Sequence, residues 1–222
     1  MNFASNISAM YAINHAATAL LIKKNKPELP LWPLLISVQL VEIGWVVFNY
    51  LGIEHYSVTA GKLHLDFLPY SHSIFSGLLA ALLSYAIIAL GFKNRKLAIA
   101  FAIGVISHIA IDLIFHEHDI RLSPFAEHPV WGLGIIQYPL VNFILELLYG
   151  IGCWWYFGGN RKLLAVIIIF NLADLPTMFA SGDALNPLKL YPFILPTFIL
   201  IQMLLTWYFV WRYARQKPVA AK

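Results

Sequence analysis

Charged residues are scarce in this sequence. Only 12% of its 222 residues are Asp, Glu, Lys or Arg, whereas 60% are hydrophobic. Soluble domains carry about 25% charged residues, so this composition excludes a soluble globular fold, a disordered chain and a nucleic-acid-binding module. The single cysteine, Cys153, excludes an internal disulfide. We expect one compact membrane-embedded domain, with the lipid bilayer as its partner and no bound nucleic acid.

Common catalytic motifs are missing as well. The chain contains no G-x-S-x-G elbow, no Walker A loop, no C-x-x-C pair and no H-E-x-x-H helix. The first 22 residues also lack the basic segment and the small-residue cleavage site of a secretory signal. We therefore expect no cleavable signal, and any chemistry has to come from residues within the apolar runs.

Long apolar runs are the dominant positive feature. Because about 20 apolar residues cross a bilayer as a helix, they predict an all-α, polytopic transmembrane bundle of about seven spans. The predicted spans are 3–22, 34–52, 72–92, 97–115, 133–157, 162–180 and 191–213. The first run carries Asn6, Asn14 and His15 and follows Asn2, so it could instead lie at the membrane interface. We expect 1–222 to form one domain, with the chemistry in 1–157 and two additional helices in 158–222.

Basic residues predict the orientation, because cytoplasmic loops are enriched in Lys and Arg. Twelve of the 15 basic residues fall on one side of the predicted bundle: Lys23, Lys24, Lys26, Lys93, Arg95, Lys96, Arg161, Lys162, Arg212, Arg215, Lys217 and Lys222. Only Lys62, Arg121 and Lys189 are on the other side. This bias predicts an outer N-terminus and an inner C-terminus in the cell (inner or plasma) membrane.

Ionisable residues inside the predicted spans are the main functional signal. They are His15, Glu42, His72, His108, Asp112 and Glu146. A charged residue near a span centre costs roughly 2.5–3.5 kcal/mol on insertion scales. Every Lys and Arg lies in a loop or at a span end, so no basic side chain is available within the spans to pair with the acids. Protons, the histidines or a metal ion remain as partners, and imidazole with carboxylate is the usual ligand set for zinc, manganese and iron.

The spacing of these residues favours a metal ion. His108 and Asp112 are four residues apart, so both lie on one face of a helix. His116 extends the same stripe by one turn. His72 lies between two serines that can cap the third span, and with His108 and Asp112 it makes a two-histidine, one-carboxylate set. The alternative for His72 is a helix-cap histidine hydrogen-bonded to a serine.

For several residues the sequence allows two interpretations. His15 lies on an alanine-rich helix and is either a ligand or part of a packing face. Glu42 and Glu146 are either functional carboxylates or protonated acids within the bundle. Asp174 is expected to end the sixth span, and Glu54 is expected to be a solvated loop residue.

The chain resembles the bacterial membrane-bound metal-dependent hydrolases, a family that includes the LexA-regulated inner-membrane hydrolase. The family pattern is matched by His15, by Glu42, by Ser71-His72-Ser73, and by Ser107-His108 with Asp112. A multi-span subgroup is also matched by Gly52-Ile53-Glu54-His55, by Pro69 to Ser73, by His108 to His116 and by Gly132-Leu133-Gly134. The resemblance covers about residues 10–156.

More distantly, the chain is similar to zinc-dependent phospholipase C. That similarity implies a ligand set of His15, Glu42, His72, His108, Asp112 and His118, holding one or two divalent ions, with zinc as the expected metal. Glu42 stands where an Asp is usual, and Asn142 replaces the His of an H-x3-E pair.

These observations predict a metal-dependent hydrolase. His72, His108 and Asp112 would hold one ion, and Glu42 with His15 would hold or bridge a second. Glu42 or Glu146 would act as general base, and the expected substrate is a phosphoester or a related lipid-like molecule. A proton-coupled transporter is the alternative. A purely structural membrane protein ranks third, because interhelical hydrogen bonds average only about 0.6 kcal/mol.

Overall fold

Helices form most of the computed structural model, which describes residues 12–59, 62–179 and 182–214. They are α1 (Ala12–Asn25), α2 (Leu31–Ser37), α3 (Leu40–Tyr50), α4 (Ile74–Ala86), α5 (Arg95–Phe115), α6 (Pro139–Phe157), α7 (Arg161–Asp174), α8 (Asn186–Leu190) and α9 (Ile194–Tyr213). A π-helical turn, Ile87–Gly91, continues α4, and short 3-10 turns cover Ile135–Gln137, Leu175–Phe179 and Gly182–Leu185.

Two small hairpins, which the sequence analysis did not foresee, lie in the connections between helices. The first pairs β1 (His55–Thr59) with β2 (Lys62–Phe67), and the second pairs β3 (Ile120–Arg121) with β4 (Val130–Trp131), both antiparallel. In the first hairpin, apolar side chains such as Leu63 pack on the main core. The prediction of an all-α fold therefore describes the bundle but not its connections.

Four helices are long and apolar enough to cross a membrane: Ile74–Gly91, Arg95–Phe115, Pro139–Phe157 and Ile194–Tyr213. Two bent pairs, α2 with α3 and Arg161–Thr177 with Gly182–Leu190, raise the number of candidates to six if each pair is one span. Several spans fit a multi-pass membrane protein, although this number is lower than the seven predicted. The beginning of the first predicted span lies outside the described residues, and the described part forms α1, which is only 14 residues long.

The second predicted span, 34–52, is broken. The structure divides it into α2 and α3, which meet at an angle of 56°. Neither proline nor glycine lies at the break, which falls at Val38 and Gln39. The Gln39 side chain is buried and contacts Ala12 and Trp207, so tertiary contacts stabilise the bend.

The outward faces of the long helices are apolar and unpacked. Only 11% of the residues in the Ile74–Gly91 span are buried, and Leu82 and Leu90 are 63% and 78% exposed. A soluble monomer rarely exposes such a continuous apolar surface. This surface is suited to contact with lipid.

The core is built around α1, which packs against α2, α5, α6, α7 and α9. The alanine face predicted for this helix is buried, with Ala16 and Ala19 fully inaccessible to solvent. Small residues allow close approach elsewhere too, since a Cβ added at Gly104 of α5 would lie 2.0 Å from Ser37 Oγ of α2. The α2–α5 contact therefore depends on glycine at this position.

We predict that Gly104→Ala lowers the stability of the purified protein by about 1–3 kcal/mol, since the new methyl group pushes α2 away from α5. Thermal unfolding in detergent measures the effect. Gly152→Ala is the matched control: Gly152 is exposed on α6 and has nothing within 4 Å of an added Cβ. A control change equal to that of Gly104→Ala would contradict the packing role.

Candidate metal centre

Five of the predicted site residues converge in one buried cluster. His15 comes from α1, Glu42 from α3, His72 from the turn before α4, and His108 and Asp112 from α5. All five are buried, and Glu42 is the most accessible at 7%. Local structure positions them, since Ser73 caps α4 by accepting a hydrogen bond from Ser76, as the sequence suggested. The i, i+4 spacing places His108 and Asp112 side by side.

Asp112 lies at the centre of the cluster. Its Oδ2 is 3.1 Å from His108 Nε2 and 3.9 Å from His72 Nε2, and its Oδ1 is 3.4 Å from His15 Nε2. Donor atoms around a tetrahedral zinc ion are separated by roughly 3.3 Å, given bonds of about 2.0–2.1 Å. The observed separations bracket that value, so the Asp112 carboxylate and its imidazole neighbours are spaced as metal ligands are.

Glu42 contributes a second carboxylate near two of the same histidines. Its Oε2 is 3.4 Å from His72 Nε2 and 3.9 Å from His108 Nε2. Three sets of ligand atoms, each lying within 4.8 Å of one another, could hold a metal ion: His15 with His108 and Asp112; Glu42 with His72 and His108; and His72 with Asp112 and His116. His72, His108 and Asp112 each belong to two sets, so the sets form one continuous cluster.

His116 joins the cluster, although His118 was the histidine proposed for it from the resemblance to phospholipase C. α5 ends at Phe115, and His116 follows in an extended conformation with its side chain buried. His118 is exposed and belongs to none of the three sets. The signal for His116 was present in the sequence as the continuation of the His108 and Asp112 stripe.

Protons compete with a metal ion for these ring nitrogens. Burial lowers the pKa of His116, but the carboxylates of Asp119, Asp112 and Glu42 outweigh burial and raise that pKa to about 9. A ligating imidazole has to be neutral at its metal-binding nitrogen, so metal binding releases protons and weakens as the pH falls.

Two hydrogen-bond acceptors face each other at the centre. His108 Nδ1 lies 2.8 Å from the carbonyl oxygen of Val38, which can only accept, so Nδ1 carries the hydrogen of the neutral ring. The lone pair is then on Nε2, which faces Asp112 Oδ2. Both atoms are buried, and neither has a hydrogen-bond partner among the described residues. A cation, whether a proton or a metal ion, has to lie between them.

Two other histidines of the cluster follow the same pattern, whereas Nδ1 of His15 is buried and has no hydrogen-bond partner among the described residues. His116 Nδ1 lies 3.3 Å from Asp119 Oδ1, and His72 Nδ1 lies 2.7 Å from Ser71 Oγ. Metal-binding histidines almost always donate their second ring N–H to a carboxylate, a carbonyl or water, which fixes the tautomer and the ring orientation. With His108, three histidines have Nδ1 anchored in this way. The residues present therefore fit a metal ion.

Glu146 lies outside the three sets. Its carboxylate accepts hydrogen bonds from Asn14 at 3.0 Å and from Asn142 at 2.8 Å, which joins α1 to α6. Asn142, which stands where phospholipase C has a histidine, thus supplies an amide donor to this buried acid. Asp174 ends α7, as expected, and contacts Gln202.

The structure corrects the expectation for Glu54. This residue is 1% exposed, not solvated, and it accepts hydrogen bonds from Tyr70 and Ser71 next to His72. The first hairpin brings these residues together, since His55 pairs with Phe67. No local sequence signal marks this contact, because the hairpin that creates it was itself not predicted.

A cavity of about 460 Å³ opens beside His72. Polar and charged residues line most of it: His72, His118, Asp119, Arg121, Glu127 and His128. His72 is the residue of the cluster that lines this cavity.

Comparison of the chain with family models, with curated proteins and with solved structures gives no match. Function is therefore inferred from the residues of the site.

We predict that Asp112→Asn lowers the affinity for zinc by at least tenfold, because a neutral amide replaces the carboxylate shared by two ligand sets. Asp174→Asn is the matched control, an identical change at a buried acid outside the three sets. The measurement is a zinc titration of protein extracted in mild detergent, followed by metal analysis. Equal zinc binding by Asp112→Asn and wild type would contradict the assignment.

Proposed function

We propose that the protein is a multi-pass membrane hydrolase that depends on one or two divalent metal ions, with zinc as the expected metal. Its substrate is a phosphoester or a related lipid-like molecule. The observation that carries the proposal is the pair of opposed acceptors, His108 Nε2 and Asp112 Oδ2, 3.1 Å apart in a buried cluster.

Charge balance supports a divalent ion over a single proton. The ionised carboxylates of Glu42 and Asp112 bring two negative charges into a buried site, and a buried charge needs a partner. Each described Lys and Arg lies in a connection, in a hairpin or near a helix end. One proton neutralises one carboxylate and joins one pair of acceptors, whereas one divalent ion neutralises both and contacts several acceptors.

A bound divalent ion supplies hydroxide at neutral pH, because it lowers the pKa of coordinated water from 15.7 to about 7. The chain supplies the remaining groups. His15, His72 and His108 have their Nε2 atoms near the carboxylates of Asp112 and Glu42, and burial of the cluster excludes bulk water. Glu42 is the favoured general base, because it is more exposed than Asp112 or Glu146. Glu146 is less suited to that role, since both of its oxygens accept hydrogen bonds from asparagine amides.

The position of the cluster supports a site in the outer half of a bundle of about seven spans with an outer N-terminus. Lys23 and Lys24 lie at the end of α1, and Arg95 lies at the start of α5. His15 is near the opposite end of α1, and Asp112 is near the opposite end of α5. The ligands therefore lie towards the helix ends that face away from the basic residues, which the positive-inside rule assigns to the outer side.

An amphiphilic substrate fits these surroundings. The polar cavity beside His72 can accept a headgroup, and the apolar faces of α4 and α5 can contact acyl chains. This combination supports a lipid phosphoester over a small soluble substrate, and the resemblance to metal-dependent hydrolases points to the same class.

A proton-coupled transporter is the second candidate, and one observation favours it. α2 and α3 form a broken helix next to Glu42, and transporters bind substrate and ions at helices interrupted within the membrane. The sequence shows no internal repeat, which favours the hydrolase. Asp112-dependent flux driven by a pH gradient in proteoliposomes would favour the transporter.

We predict that Glu42→Gln lowers kcat for a fluorescent lipid phosphoester by about 10²–10⁴-fold, the usual loss for a general base. The assay uses wild-type and variant protein in mixed micelles, and metal analysis shows whether the variant still carries an ion. A chelator should abolish wild-type turnover and added zinc should restore it. Turnover that survives both chelation and Glu42→Gln would contradict the proposed function.

A further inference from the structure

Glu54 is a buried acid that the proposed reaction does not use. It lies after α3, outside the helices, and only 1% of it is exposed. Burial raises the pKa of Glu54, and hydrogen bonds from Ser71 and Tyr70 oppose that rise. A buried carboxylate at a loop needs a structural or functional reason, and its hydrogen bonds point towards His72.

The two oxygens of Glu54 have different partners. Oε1 accepts hydrogen bonds from the backbone N–H groups of Tyr70 and Ser71, both at 2.8 Å. Oε2 lies 2.6 Å from the hydroxyl oxygen of Ser71, a length typical of a hydroxyl that donates to a carboxylate. The backbone amides can only donate, so they fix which oxygen faces them, and Oε2 is left for the serine.

These partners determine the direction of the next hydrogen bond. The Ser71 hydroxyl has one hydrogen, which it donates to Glu54. Its oxygen, 2.7 Å from His72 Nδ1, then has to accept from the ring. His72 therefore carries its hydrogen on Nδ1 and its lone pair on Nε2, the nitrogen that lies 3.4 Å from Glu42 Oε2.

We propose that Glu54, acting through the hydroxyl of Ser71, is a positioning residue that sets the tautomer of His72 so that the Nε2 lone pair faces the cluster. The use of that lone pair for a cation rests on the proposed function. The tautomer itself does not, and it can be measured without a metal.

The arrangement makes Glu54→Gln an unusually specific test. The two backbone N–H groups hold the amide oxygen of the new side chain at the Oε1 position, which places its NH2 group against Ser71 Oγ. That NH2 donates, so the serine hydroxyl no longer has an acceptor at Glu54. It turns its hydrogen towards His72 Nδ1, which at 2.7 Å is a closer acceptor than the Leu68 carbonyl oxygen at 3.4 Å. The His72 tautomer is thereby inverted, with the hydrogen on Nε2, although the size and shape of residue 54 hardly change.

The tautomer can be observed by ¹⁵N NMR of the full-length, histidine-labelled protein in detergent, stripped of metal and recorded at a pH high enough for the His72 ring to be neutral, with the His72 signals assigned from a His72→Gln spectrum. We expect the wild-type protein to have a protonated Nδ1 at His72. In Glu54→Gln we expect the proton on Nε2. Ser71→Ala removes the relay with the loss of one oxygen atom, and we expect it to shift the His72 population away from the Nδ1–H form.

Ser73→Ala is the matched control. Ser73 flanks His72 on its other side and bonds to Ser76 instead, so this variant should keep the wild-type tautomer. A wild-type His72 with its proton on Nε2 would overturn the proposal. So would wild-type signals in Ser71→Ala, which carries the test even where Glu54→Gln does not fold.

Zinc titration of the same proteins separates this proposal from the proposed function. Loss of an outer partner of a metal-binding histidine costs about 10–100-fold in affinity, so Glu54→Gln and Ser71→Ala should bind zinc that much more weakly than Ser73→Ala. A wild type that binds zinc, with variants unchanged in tautomer and affinity, overturns the positioning role alone. A wild type that binds no zinc, with tautomers that respond as expected, overturns the metal-dependent function alone.

Discussion

The opposition of His108 Nε2 and Asp112 Oδ2 is the constraint on which the rest of the site depends. Two acceptors 3.1 Å apart in a buried environment repel unless a cation lies between them. The Val38 carbonyl oxygen fixes this opposition from outside the cluster, because it accepts a hydrogen bond from Nδ1 of His108 and so leaves the lone pair on Nε2. The cluster is thus a set of lone pairs held together by the fold, and its stability requires a positive charge that no described lysine or arginine side chain supplies.

The fold and the site are coupled at several points. The break between α2 and α3 places the Val38 carbonyl where it can anchor His108, and it turns α3 so that Glu42 enters the cluster. Close packing of Gly104 against Ser37 holds α2 and α5 together one helical turn before His108. The hairpin after α3 reverses the chain, so that Ser71 comes within hydrogen-bonding distance of Glu54. Each of these features orients a residue of the cluster without belonging to the cluster itself.

The sequence was sufficient where the physical signal is local, and it failed where contacts are distant. Charged residues are costly inside apolar runs, which singled out the acids and histidines of the spans. The i, i+4 spacing then identified His108 and Asp112 as a pair. No proline or glycine marks the break at Val38 in the sequence. The Gln39 contacts that stabilise this break are tertiary, so they leave no local signal. The buried position of Glu54 depends on the register of a hairpin. The i, i+4 stripe already indicated His116, whereas His118 was proposed from the resemblance to phospholipase C and not from periodicity.

We propose that a metal ion, not a proton, lies among these lone pairs. Anomalous diffraction at the zinc edge, from crystals of zinc-loaded protein, distinguishes the two. We expect an anomalous peak within about 2.0–2.2 Å of Asp112 and of at least two histidine Nε2 atoms, and we expect chelation to remove it. A zinc-loaded crystal without such a peak, in which Asp112 hydrogen-bonds directly to a protonated His108, would contradict this proposal.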